Sequence, residues 1–113
     1  MTERIAGLPL KSVGQAALAN SFQALAAPGT LYGLSGYNSG PAQFVQLYDS
    51  AAIPAAGAIP VLSIAVPATS NFVIDLGMYG MEFVNGISVG NSSTAPVSAP
   101  GAADCQFFAR VRN

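Results

Sequence analysis

Prolines at positions 28, 41, 54, 60 and 67, with glycines set among them, cut the middle of this chain into short pieces, and none sustains a helical apolar period. Turn signals such as Pro28-Gly29, Asn38-Ser-Gly-Pro41 and Asn85-Gly86 recur along the chain. Such punctuation favours many short strands, and the expected fold class is all-β.

The runs between the turns support this reading. Thr30 to Tyr37 and Ala42 to Tyr48, joined by Asn38–Pro41, read as a β-hairpin, and Asn85-Gly86 is the strongest two-residue hairpin signal, linking Met81–Val84 to Ile87–Gly90. Val61 to Val66 reads as a strand bounded by Pro60 and Pro67, since proline can begin or end a strand but does not belong inside one. Asn71 to Leu76 alternates Phe72, Ile74 and Leu76 with Val73 and Asp75. In the last strand Cys105, Phe107, Ala109 and Val111 are expected to face inward, with Asp104, Gln106, Phe108, Arg110 and Arg112 outward. Val13 to Ala27 is Ala-rich, but Gly14 and Pro28 argue against a helix, and strands are expected through Ala16–Leu18 and Phe22–Leu25. Asn91 to Ala103 reads as a loop. The sum is a single-domain antiparallel β-sandwich of seven or eight short strands. Residues 1–13 are expected to form an extended N-terminal arm, and residues 14–113 the sandwich.

Charge is the second constraint. Ser12 to Tyr48, thirty-seven residues, carries no ionisable acid or base of the Asp, Glu, Lys or Arg kind, and such residues make up 8% of a chain whose mean hydropathy is +0.46. Soluble domains carry about 25%. The surface of such a chain is therefore either neutral and polar or covered by copies and partners, and the second is the main expectation. The basic residues Arg4, Lys11, Arg110 and Arg112 all lie near an end, and the body holds only acids, which excludes a groove for nucleic acid there. Ala51 to Ala68 is apolar and uncharged, but Pro54, Gly57, Pro60 and Pro67 make it strand and loop rather than a membrane span. No targeting segment is recognised at the N-terminus, and a lone cysteine rules out an internal disulfide framework, so synthesis in a reducing cytoplasm is expected.

The absence of histidine excludes Ser-His nucleophilic triads and, with a single cysteine, zinc sites. Cys105 falls on the inward side of its strand and reads as core. Asp75 and Glu82 could be imagined as a glycosidase pair, but the chain has no Trp to line a sugar cleft, and turn-capping or solvated acids are the plainer reading. No enzyme activity, cofactor or metal is expected. Phe44 and Tyr48 lie opposite Val45 and Leu47 on their strand, and Phe108 sits among outward residues, so both faces of a sheet carry large apolar groups. Either the second face meets a partner, or Phe44 and Tyr48 pack under the chain's own 51–60 segment. The N-terminal apolar residues suit an arm that docks on a neighbour. The candidate interface is accordingly Ile5, Leu8, Leu10, Phe44, Tyr48, Phe108, Arg110 and Arg112.

At Leu31-Tyr-Gly33, Phe44-Val-Gln-Leu-Tyr-Asp49, Ile53 through Val61, Gly86-Ile-Ser88 and Asn91-Ser-Ser93 the chain resembles small virion proteins of tailed bacteriophages, of the β-sandwich capsid decoration, or cement, type. The likeness spans roughly residues 14–93 and carries no functional residue across. It implies a structural protein on the capsid exterior that self-associates, as a homotrimer, and binds the major capsid protein. Alternatives are a neck, tail or head-fibre component, and a small carbohydrate-binding sandwich using Tyr32, Tyr37, Tyr48 and Tyr79.

Overall fold

A computed structural model describes residues 10–15 and 17–113. Among these there is no helix, and nine strands follow in order: β1 Lys11–Gly14, β2 Ser21–Leu25, β3 Gly29–Asn38, β4 Gln43–Asp49, β5 Leu62–Val66, β6 Ser70–Asp75, β7 Met81–Phe83, β8 Ile87–Ser92 and β9 Cys105–Arg112. Sheet one runs β1-β9-β3-β6, with β7 beside β6 on the same edge of β3, and sheet two runs β2-β8-β4-β5. Every pairing is antiparallel. The all-β sandwich expected from the sequence is the architecture observed.

The core forms where the inward faces meet. In β9 the alternation is the expected one: Cys105, Phe107, Ala109 and Val111 are buried, while Phe108 and Arg110 are exposed. Phe107 occupies the centre, its ring stacked on Phe22 of sheet two at 6.4 Å and edge-on to Phe72 at 6.2 Å. Leu31, Leu34, Val45, Leu47, Ile87 and Val89 close the same cluster. Asn71–Leu76 behaves likewise, with Phe72 and Ile74 buried and Val73 exposed.

Both expected hairpins are instead crossings from one sheet to the other. β3 pairs with β6, β7 and β9, whereas β4 pairs with β5 and β8. At the first crossing the buried Asn38 side chain donates to the carbonyls of Pro41 (2.9 Å) and Pro67 (3.0 Å) and accepts from the Gly40 N–H (3.0 Å), which turns the chain out of its sheet. At the second, a type I′ turn would need positive φ at both Asn85 and Gly86, and neither has it. The backbone N–H groups there point to Asp49 instead.

The N-terminal boundary also differs. The first strand is Lys11–Gly14, so Lys11 to Val13, expected in the arm, belong to sheet one through pairing with β9. Ala17 and Leu18 are not in a strand, and Ala16 lies outside the described residues. The segment 50–61 is loop that leads into β5, and no helix of the described residues is long and apolar enough to cross a membrane.

Candidate interaction surface

The two sheets present very different outer faces. On sheet two the outward residues of β4 are Phe44, Gln46 and Tyr48, and the chain covers most of them itself. Gln46 is fully buried and donates to the carbonyls of Thr94 (2.8 Å) and Ala95 (2.9 Å), so residues 93–100 lie across the sheet. Ser92 fastens that loop from within: its hydroxyl donates to the Thr94 carbonyl (2.7 Å) and accepts from the Ala99 N–H (3.0 Å). Tyr48 is 5% exposed, packed beside Ile53, Pro54, Ser98 and Pro100, and its hydroxyl donates to Gln46. Burial raises its phenol pKa, against a smaller lowering by a hydrogen bond with Ser98. Tyr48 is therefore an internal residue rather than a docking one, as the own-chain alternative for the 51–60 segment anticipated. Phe44 is half-buried at the far end of the same strand.

Sheet one has no such cover among the described residues. Its outer face is built by the alternate positions of four strands around a low floor of Ser12, Gly14, Gly33 and Ser35, and the resulting depression has a volume of about 590 Å³. Of these floor positions, Gly14 is the one that a side chain would crowd. A β-carbon at Gly14 would lie 2.3 Å from the Phe108 ring, which therefore leans over β1, and the Arg110 side chain passes 3.9 Å from the same point on Gly33. Phe108 is 43% exposed and Val73 78%. A bulge between Leu31 and Gly33 aims Tyr32 outward, where the Arg112 guanidinium lies 5.4 Å from its ring centre.

Of the residues expected at an interface, Phe108, Arg110 and Arg112 thus share this face. Leu10 is exposed just before β1, Phe44 and Tyr48 lie on the opposite sheet, and Ile5 and Leu8 fall outside the described residues. The sequence reading missed Val73 and Met78, and it includes Tyr79 only in the sugar-binding alternative; Met78 and Tyr79 stand 81% and 86% exposed on the β6–β7 turn. That turn is set by Gly77 and Gly80, both at positive φ (81° and 70°). The signal was present in the flanking glycines, which force the two residues between them outward. The four tyrosines of the sugar-binding alternative are divided: Tyr32 and Tyr37 lie on β3, Tyr79 on a turn, and Tyr48 under loops of sheet two.

Cys105 and Asp75 are engaged in holding the fold. Cys105 is buried against Asn38, Gln43 and Asn91, and its thiol pKa is raised first by burial. Asp75 accepts from the Gly77 N–H at 2.9 Å, capping its turn. Among the described residues no group of three or more potential metal ligands comes together. Comparison with protein-family models, curated proteins and solved structures gives no match to this chain.

Proposed function

We propose that this chain is a non-enzymatic structural protein of a tailed-phage virion, a capsid decoration protein that self-associates on the shell and stabilises it by burying area between subunits. The observation that carries the reading is the exposed apolar surface. Ile59, Val73, Met78, Tyr79 and Val84 are each at least 70% exposed, on a chain with few charges to keep it apart from its neighbours. The sequence resemblance to phage decoration proteins supplies the setting. A standard contact of about 800 Å² per partner contributes on the order of 10 kcal/mol gross, comparable to the cost of association, so several simultaneous contacts are needed for firm attachment.

The test is quantitative: purified protein is added to purified shells lacking it, and bound copies are counted. Hundreds of copies with raised shell stability are expected. A few dozen or fewer would place the protein in a neck, tail or fibre, and no binding would refute the decoration role.

A further inference from the structure

The outer face of sheet one is divided by charge. On β9 it carries Phe108, Arg110 and Arg112; across β3 it carries Val73 and Asp75 on β6 and Glu82 on β7. Strand register sets these in rows: Phe108 and Val73 both pair with Ser35, Arg110 and Asp75 both with Gly33, Arg112 and Glu82 both with Thr30. A basic column and an acidic column therefore flank β3, two strand spacings or about 10 Å apart. Among the described residues no ion pair joins the two.

We propose that two copies of this chain pair through this face, about a two-fold axis that runs along β3 in the plane between them. Rotation about that axis exchanges the columns and preserves the rows. Arg110 then lies over Asp75 of the second copy, Arg112 over Glu82, and Phe108 over Val73, and each contact occurs twice. An in-plane axis across the strands would set arginine over arginine and acid over acid, which costs rather than contributes. A two-fold contact requires a patch complementary to itself, and a face with opposite charges mirrored about its middle strand meets that requirement. Stacked sheets twist by about 30° relative to one another, so the match is closest at the central row of Arg110 and Asp75.

The footprint follows from the strands. Eight residues of β9 at about 3.3 Å each, across the three strands that the axis superposes, spaced about 4.8 Å, give roughly 380 Å². That is below the usual size of specific interfaces, so a weak, transient dimer is expected, with dissociation at roughly 100 μM. The contact is a closed pair and takes the place of the threefold arrangement expected from the sequence. It deepens the structural reading above by naming one surface that assembly uses, but it is read on the isolated protein, so its failure leaves shell binding to its own test.

The experiment is sedimentation equilibrium of the full chain at about 100 μM, near the expected dissociation range. Wild type is expected as a dimer that weakens at least tenfold as salt rises to about 0.5 M. Arg110→Glu and Asp75→Arg are each expected as monomers, and an equimolar mixture of the two as a heterodimer, because each variant supplies the charge the other lacks. The double variant Arg110→Asp/Asp75→Arg is expected to recover the homodimer, and it reads the pairing even where a single variant folds poorly. A monomeric or trimeric wild type overturns the proposal. So does a dimer indifferent to both single substitutions, or a mixture that stays monomeric.

Discussion

Asp49, the last residue of β4, accepts the backbone N–H of Asn85 at 2.8 Å, and with it those of Val84 (3.2 Å) and Gly86 (3.4 Å), so one carboxylate closes the crossing from β7 to β8. These bonds hold its pKa below the ordinary value of 3.8, the Asn85 N–H contributing most. A carboxylate with a lowered native pKa adds stability above its unfolded pKa, and that contribution disappears as pH falls through the native value.

Asp49→Asn should therefore lower the melting temperature at neutral pH. The gap from wild type should narrow as pH drops below about 4, because the wild-type carboxylate is then losing its charge as well. Melting curves of both proteins between neutral and acid pH check this; a gap independent of pH would show that the charge is irrelevant there.

Neighbouring phenylalanines should behave oppositely. Phe107 is fully buried at the meeting point of Phe22 and Phe72, and Phe107→Ala is expected to cost about 3–5 kcal/mol. Phe108 lies on the outer face, and Phe108→Ala is expected to cost the isolated subunit less than about 1 kcal/mol. Urea denaturation of the two variants measures the contrast.

Thr69, in the connection from β5 to β6, sits at φ 45°, a left-handed conformation that a β-branched residue adopts only under strain. Thr69→Gly removes a penalty of about 1–2 kcal/mol and gives back part of it through the freer unfolded chain, for a net gain of about 0.5–1 kcal/mol. Thermal unfolding should shift upward by a few degrees, and an unchanged or lower midpoint would contradict the strain.

The Cys105 thiol should resist modification in the native protein. It is fully buried, and burial raises its pKa, so the reactive thiolate is scarce as well as hidden. Its reaction with an aromatic disulfide reagent should proceed at the rate of opening of the fold and become rapid in denaturant.

Strand existence was legible wherever apolar residues alternate, as in β6 and β9, because a two-residue period places alternate side chains on opposite faces whatever the strand pairs with. Strand partners were not. Asn38–Pro41 and Asn85-Gly86 carry ordinary hairpin chemistry, but the long-range hydrogen bonds of Asn38 to Pro67 and of Asp49 to Val84–Gly86 redirect both turns between sheets. Local propensity cannot register a partner dozens of residues away. The same limit governs the surface: Phe108, Arg110 and Arg112 were visible as an outward series on one strand, whereas their relation to Val73, Asp75 and Glu82 arises from the register of β9, β3, β6 and β7. Tyr48 was misplaced because nothing in residues 93–100 announces that they fold back over β4.

The placement of β9 between β1 and β3 has a consequence for biosynthesis. Sheet one lacks its middle until residues 105–112 have left the ribosome, and among the described residues β4 with β5 is the single pairing between strands consecutive in the chain. A nascent chain gains little by partial collapse, since closing long loops comes before any reward from contacts. Folding of this sandwich is accordingly deferred until β9 has emerged, and a product truncated before β9 would be left to proteolysis.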